Sequence, residues 1–196
     1  YFSEVMGNAT RTLIWNAALI KKIFLPREMF PVASVYVAIV HFVPQLVVLL
    51  VGSLFYDWRP TLLGTAAILA GFVIVTFAAL GLGLIFGCLN VFFRDSENLV
   101  DLILMIATWV SPVLYPADKV KDVVPEWMWH IYQANPVTVA VELFHYGFWS
   151  AATGESVPGI GSIPMLTLVG LVGSLIVLGL GQLAFKRTEG KFAQEL

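Results

Sequence analysis

The chain has 196 residues, 59% of them hydrophobic and only 12% charged, about half the charged share of a soluble domain. This composition excludes an ordinary water-soluble globular domain and indicates an all-α polytopic membrane protein. The 11 basic and 13 acidic side chains nearly cancel, so the net charge identifies no partner, and no nucleic-acid partner is predicted. Cys88 is the only cysteine, which excludes a disulfide framework and a cysteine-based metal site.

The first 30 residues precede the first long apolar segment. The chain begins without an initiator methionine, and we expect it to be part of a longer protein, with residues 1–16 as the lower end of an earlier span. Residues 17–30 alternate basic and apolar side chains, a pattern typical of a short amphipathic helix lying at a membrane interface. Pro26 would end this helix, and Pro31 can start the next one.

Four apolar segments are predicted to cross the membrane as helices. The first has 25 residues without a formal charge; as a helix it is roughly 37 Å long at about 1.5 Å per residue, enough to span a bilayer with some tilt. In the second, Ala79, Gly83 and Gly87 recur every four residues, a small-residue stripe that lets another helix approach closely. The predicted spans are 31–55, 62–90, 99–114 and 163–185.

A very short polar connection joins the second and third predicted spans. Arg94 falls where one helix ends, and Asp95 and Glu97 fall where the next begins, an arrangement that the helix dipoles favour. Two interpretations are open. The charges only delimit a hairpin, or Arg94 pairs with Asp95, Glu97 or a residue of a partner subunit.

The region after the third span is more polar and rich in aromatic residues. Its apolar part, 136–150, is far shorter than the ~20 residues that a span needs. We therefore predict two short helices, 124–134 and 136–149, that enter the membrane and return. The aromatic side chains either line a sugar path or form an interfacial belt. Together with Trp109 and Tyr115 near the end of the third predicted span, they are Trp127, Trp129, Tyr132, Tyr146 and Trp149.

Basic residues set the predicted orientation. If the connection at Arg94 is cytoplasmic, eight of the 11 Lys and Arg residues lie inside and three outside, which fits the positive-inside rule. Four spans then place both ends of the chain in the cytoplasm and the helical hairpin of 124–149 outside.

The sequence predicts no catalytic residue and no metal site. It contains no phosphate-binding loop, no zinc-protease helix motif and no nucleophile elbow. Glu142 and His145 have Glu-x-x-His spacing, but a metal site of that type needs a second such pair. The span centres carry no Asp, Glu, Lys or Arg, which weighs against an ion-coupled carrier or an intramembrane enzyme.

Several motifs together resemble one transporter family. NVFFRD precedes a span that ends in SPVLYP, and QANPVTVAVELF follows; LIKKIFLPREMFP lies near the start and KRTEGKFAQEL at the end. This set is similar to the permease subunit of ABC type-2 exporters, in the branch that carries polysaccharide, O-antigen and teichoic acid, including a galactan exporter of actinobacteria. That family has six spans, so the first and most of the second would be missing here. Many members carry an Arg after the NP motif, where this chain has Phe144-His145.

The resemblance implies a homodimeric permease in the bacterial inner membrane that moves a lipid-linked glycan. Two separate nucleotide-binding subunits would bind ATP and Mg²⁺, so this chain itself would hold no cofactor and would not be an enzyme. The helices of 124–149 would be external gate helices, and the aromatic residues named above would line the substrate path. The ATPase-coupling helix, 17–30, would use Leu19, Lys21, Lys22, Phe24, Leu25, Pro26, Arg27 and Glu28.

Two function classes remain as alternatives to an exporter. The first is a membrane scaffold or channel component without an ATPase, which should place polar residues along one face of a span. The second is a membrane-embedded glycosyl- or acyltransferase, which should show acidic or His residues near the membrane surface. Only Glu142 and His145 fit that description.

Overall fold

The computed structural model describes residues 1–22, 25–56, 58–150 and 162–195. Within these ranges every regular element is helical, as predicted. The helices are α1 (Phe2–Trp15), α2 (Ala17–Ile20), α3 (Met29–Leu54), α4 (Leu62–Phe92), α5 (Ser96–Val110), α6 (Asp118–Lys121), α7 (Glu126–Ala134), α8 (Pro136–His145), α9 (Ile163–Thr188) and α10 (Phe192–Glu195). A π-helical turn, Tyr146–Ser150, follows α8, and a 3₁₀ turn, Glu189–Lys191, follows α9.

In the described part of the chain, three helical segments have the length and composition to cross a membrane: Met29–Leu54, Leu62–Phe92 and Ile163–Lys191. They coincide with three of the four predicted spans. The fourth, 99–114, is represented by α5, which has 15 residues and is roughly 22 Å long at about 1.5 Å per residue. Helix α5 stops at Val110 because the next residue, Ser111, precedes Pro112, and a residue before proline is disfavoured in the helical conformation.

The segment predicted as an amphipathic helix over 17–30 is helical only in α2, a single turn that ends at Ile20. Ile20, the last residue of this turn, is buried in a cluster with Phe185 and Phe192. Beyond the turn at 21–22, the described residues Leu25 and Pro26 are not helical. The helix is therefore shorter than predicted.

The chain divides into two compact units, of which the first comprises Tyr1–Pro44, Thr76–Ile106 and Leu175–Leu196. Helix α1 packs against the predicted small-residue stripe of α4. A Cβ atom built on Gly83 would lie 2.6 Å from the Ala9 Cβ, which leaves no room for a larger residue. The central cluster of this unit consists of Leu13, Ile20, Leu84, Cys88, Val91, Phe185 and Phe192.

The second unit comprises Gln45–Val75 and Ala107–Ser174. Its core forms where α8 lies against α4 and α9. A Cβ on Gly71 would lie 3.1 Å from the carbonyl oxygen of Ala140, and one on Gly170 would lie 2.5 Å from a methyl carbon of Val139. The buried members of this core are Ala67, Ile74, Val139, Ala140 and Leu143. These contacts fix α8 against α4 and α9 in the core of the second unit, whereas most of α7 is exposed.

Candidate functional site

The two short helices predicted for 124–149 are present as α7 and α8, joined by the single residue Asn135. The Asn135 side chain accepts a hydrogen bond from the backbone N–H of Val137 at 3.0 Å, and Pro136 occupies the first helical position. The Asn135 cap satisfies one of the free N–H groups at the start of α8. Pro136 has no N–H, and at the first helical position none is needed. The sequence of the turn therefore fixes where one helix ends and the next begins.

A cavity of about 810 Å³ lies beside α7 in the second unit. Its volume falls within the range of about 300–1,000 Å³ typical of ligand sites. The lining is mainly apolar and is contributed by the end of α5, the connection to α7, and α7 itself. The lining residues are Trp109, Val110, Tyr115, Val120, Val124, Met128, Ile131, Tyr132, Ala134 and Asn135.

Tyr115 holds one wall of this cavity in place. Its hydroxyl lies 2.9 Å from the carbonyl oxygen of Trp109 and 2.8 Å from that of Val110, and it donates to them. These carbonyls belong to the last turn of α5 and lack helical partners there. The Tyr115 side chain is therefore fixed against the end of α5.

The carboxylate of Glu142 is buried in α8 without a hydrogen-bond partner among the described residues. Glu142 is 3% exposed and Thr138, one turn earlier, is 2% exposed. Both oxygens of Glu142 and the hydroxyl of Thr138 lack a hydrogen-bond partner within the described chain. His145 Nδ1 is 3.7 Å from Glu142 Oε2, too far for a hydrogen bond. Burial raises the pKa of the Tyr132 phenol, and the nearby Tyr115 and Glu142 side chains raise it further.

In the first unit, Arg11 connects α1 to the first turns of α5. One terminal guanidinium nitrogen of Arg11 lies 2.5 Å from each carboxylate oxygen of Asp101. The Arg11 Nε lies 3.8 Å from Glu97. By contrast, Arg94 is exposed, and the Asp95 carboxylate accepts a hydrogen bond from the Asn98 side chain at 2.7 Å.

The segment predicted to couple to an ATPase exposes both apolar and basic side chains. Leu19 and Leu25 are 41% and 42% exposed, and Lys21, Lys22 and Pro26 are exposed as well. The Arg27 guanidinium donates to the backbone carbonyl of Glu189 in the 3₁₀ turn. The segment is thus tied to the C-terminal part of the same unit, while Leu19 and Leu25 remain partly exposed.

Comparison with known proteins identifies the family. Residues 7–149, from α1 to the end of the hairpin, match the family model described as ABC-2 type transporter. The chain belongs to the ABC-2 type transporter family.

Curated relatives of this ABC-2 chain are named O-antigen export system permease protein RfbA. One from Klebsiella pneumoniae is 34% identical over 154 residues, which cover 75% of this chain and 57% of the relative. A second from the same species is 30% identical over 199 residues, covering 100% of this chain and 71% of the relative. A third, from Myxococcus xanthus, is 28% identical over 122 residues, or 62% of this chain and 46% of the relative. The chain therefore spans only 57% of the length of the first of these relatives.

The structure brings three of the seven aromatic residues proposed for the substrate path of this ABC-2 chain to one cavity: Trp109, Tyr115 and Tyr132. Trp129 is 6% exposed and stacks on Tyr132 with ring centroids 5.7 Å apart, so it supports the cavity wall from behind. Tyr146 packs against the core of the second unit. Trp127 and Trp149 are 64% and 60% exposed and lie outside the cavity lining.

The other predicted site residues are distributed as follows. In the coupling segment Glu28 is half-buried, and Phe24 lies outside the described residues. Arg94 makes no ion pair in the described structure, since Glu97 lies near Arg11 instead. The predicted pair of Arg94 with Glu97 is therefore not formed within this chain.

Sequence reasoning missed Trp58 and Arg11. The Trp58 indole N–H donates to the carbonyl oxygen of Gly147 at 3.0 Å, and its ring stacks on Phe148 with centroids 5.2 Å apart. Gly147 is the one glycine in the apolar run 136–150, a signal that another group approaches the backbone there. For Arg11, the signal was the four-residue spacing of Glu97 and Asp101, which places two carboxylates on one helix face.

Proposed function

We propose that this ABC-2 chain belongs to the transmembrane subunit of an exporter that moves a lipid-linked polysaccharide across the bacterial inner membrane. Relatives named as O-antigen export permeases support this proposal, because one of them matches the chain along its whole length. The structural observation that carries it is the cavity beside α7. Its wall presents the rings of Trp109, Tyr115 and Tyr132, and aromatic rings offer sugars an apolar face with a polar edge.

Stacking of sugar rings on aromatic side chains suits a transporter that must bind a polymer and also release it. The apolar C–H face of a sugar packs on a flat ring without a fixed set of hydrogen bonds, so successive residues of a chain can occupy the same place. Each contact is modest, about 0.5–1.5 kcal/mol beyond burial of area for a ring pair. A cavity wall with a few aromatic rings would therefore bind a glycan weakly enough for the glycan to move on.

Energy for transport would come from two separate nucleotide-binding subunits, because this sequence contains no phosphate-binding loop. Those subunits would bind ATP and Mg²⁺ and dock where Leu19 and Leu25 are uncovered beside Lys21 and Lys22. A fitting partner surface is an apolar groove with acidic residues at its rim. A movement of the ATPase subunits would be transmitted to the membrane helices through this segment. The hydrogen bond from Arg27 to the Glu189 carbonyl would connect the segment to the turn that follows α9.

The membrane arrangement proposed here keeps both ends of the chain and Arg94 in the cytoplasm. It requires α5 and the residues that follow it to cross the bilayer as a short fourth segment, together with the three long helices. Eight of the 11 basic residues are then inside. Two copies of the permease would form the path, and the α7–α8 hairpin would face the outside.

The test uses the full-length permease in its own host. Deleting its gene should lower the fraction of glycan at the cell surface and raise the fraction retained inside, measured as acid-released sugar from intact cells and from lysates. Deleting the neighbouring ATPase gene should give the same result. Loss of glycan synthesis, with nothing retained inside, would instead indicate a transferase. An unchanged surface fraction would refute export.

A further inference from the structure

Helix α1 carries a row of polar side chains, Glu4, Asn8 and Arg11, which we call the polar face of α1. Their spacing of four and then three residues places them on one side of the helix. The other side is apolar and buried, through residues such as Met6 and Leu13. The polar face is only partly covered, because all three of its residues are half-buried.

Two other helices of the first unit flank the polar face. On one side, Val5 packs in a cluster with Ala38 of α3. On the other side, Met6 packs with Leu104 of α5, and a Cβ atom built on Gly7 would lie 3.8 Å from a methyl carbon of the same leucine. The polar face therefore lies between α3 and α5.

Each flanking helix supplies a polar partner to this face. The Glu4 carboxyl group and the ring of His41, on α3, share a hydrogen bond, and Arg11 pairs with Asp101 of α5. The side chains of His41 and Asp101 are 60% and 56% exposed. Polar groups of both pairs are therefore accessible from outside the chain.

The polar face runs from the proposed cytoplasmic surface of the membrane towards its centre. Asn90, close to the proposed cytoplasmic end of α4, donates from its side chain to the carbonyl oxygen of Thr10 at 3.2 Å, so Arg11 lies near that surface. At the other end of the face, Glu4 bonds to His41, which stands midway along the membrane-spanning helix α3.

A water-filled space fits this face better than lipid or another helix. Ionisable side chains at membrane depth are costly in hydrocarbon and usually face other helices or a water-filled cavity. Helix contacts in membranes favour small residues, as where Ala9 of α1 meets Gly83 of α4. The polar face instead has long side chains, and its two ionisable groups, Glu4 and Arg11, already have partners within this chain.

We propose that the polar face of α1 lines the cytoplasmic half of a water-filled glycan path and forms hydrogen bonds with sugar hydroxyl groups. This rests on the proposed function and adds a binding surface made of other residues than the cavity beside α7. Sugar hydroxyl groups both donate and accept hydrogen bonds. The face offers both kinds of partner, since Glu4 has acceptor oxygens, Arg11 has N–H donors and the Asn8 amide has both. A polyhydroxylated polymer therefore finds partners along the whole face.

The first test asks whether water reaches the polar face, in the full-length permease produced with its ATPase and without other cysteines. The probe is Asn8→Cys, and the matched control is Leu180→Cys on α9, at a position that is 54% exposed. The depths are similar, because Leu180 adjoins the contact of Gly181 with Gly81 of α4, and Asn8 adjoins the α1 contact with Gly83. In inverted membrane vesicles, a charged methanethiosulfonate should modify Asn8→Cys at least about tenfold faster than the control, because the reactive thiolate is disfavoured in apolar surroundings.

The second test asks whether the glycan occupies this space. Modification of Asn8→Cys should be severalfold slower in vesicles from a host that makes the glycan than in vesicles from a host that does not. Asn8→Leu should lower the ratio of surface to total acid-released sugar about two- to tenfold, the factor that one hydrogen bond contributes to binding, at an unchanged melting temperature of the purified complex. Asn8→Ser, which keeps a hydrogen-bonding group, should export more than Asn8→Leu.

Equal modification rates of Asn8→Cys and Leu180→Cys would overturn the proposal and indicate that lipid or another helix covers the polar face. Rapid modification that the glycan does not slow, with wild-type export by Asn8→Leu, would overturn it as well. If Asn8→Cys is not produced, His41→Cys replaces it and the same comparison of rates decides. Absence of export by the wild-type complex would refute the proposed function and the glycan part of this inference, whereas the modification rates would still decide whether water reaches the face.

Discussion

Replacing Arg11 by Ala tests whether α1 and α5 are held together by charge. The Arg11 side chain is 22% exposed, whereas those of Asp101 and Glu97 are 56% and 41% exposed. Exposed ion pairs contribute at most about 1 kcal/mol, and breaking a fully buried pair costs about 3–5 kcal/mol. For this intermediate case we expect Arg11→Ala to lower stability by about 1–2 kcal/mol, or the melting temperature by about 2–8 °C for a chain of this size.

The assay is a double-mutant cycle read by thermal unfolding of the purified permease–ATPase complex. Arg11→Ala and Asp101→Ala should each destabilise, and the double variant should lose less than their sum, because both remove the same contact. Arg94→Ala is the matched control. Arg94 is exposed and unpaired in the described structure, so its effect should add to that of Asp101→Ala within about 0.5 kcal/mol. Additive effects of Arg11 and Asp101 would refute the ion-pair reasoning.

Three further substitutions test other parts of the structure. Trp58→Phe keeps an aromatic ring, though a smaller one, and leaves the carbonyl of Gly147 without its Trp58 donor, which should cost at least about 1–3 kcal/mol; a melting temperature equal to that of the wild type would contradict this. Leu25→Asp places a charge in the proposed docking surface and should reduce co-purification of the ATPase while the permease still inserts in the membrane. Equal recovery of the ATPase would exclude Leu25 from the contact. Trp109→Leu should lower surface glycan at least severalfold, because it removes a flat ring from the cavity wall, whereas Trp127→Leu, outside the lining, should have little effect; similar export by the two variants would refute this distinction.

The long helices were predictable because hydropathy is a local property. The observed bounds of α3, α4 and α9 lie within three residues of the predicted spans. The end of helix α5 was predicted four residues too late because the apolar run continues to Leu114, whereas the chain leaves the helix before Pro112. The sequence contained the information for that end, since the residue before a proline disfavours helix.

The parts that could not be predicted depend on contacts between distant residues. Arg94 lies beside Glu97 in the sequence, but Arg11, far along the chain, occupies the position next to that carboxylate. The end of α2 at Ile20 depends on packing against Phe185 and Phe192, which no local pattern encodes. Likewise, Glu142 was noticed for its spacing to His145, and its burial follows only from the packing of α8 in its unit.

The single-residue connection between α7 and α8 has a mechanical consequence. Asn135 has extended backbone angles, φ −65° and ψ 119°, and the proline that follows it restricts it to that region. The angle between the two helices is therefore set largely by covalent geometry, and the Asn135 side chain adds the cap at Val137. A motion that changed this angle would have to break the cap and force Asn135 into a disfavoured conformation. The two helices consequently move together as one unit, and a change in their position must arise outside the connection at Asn135.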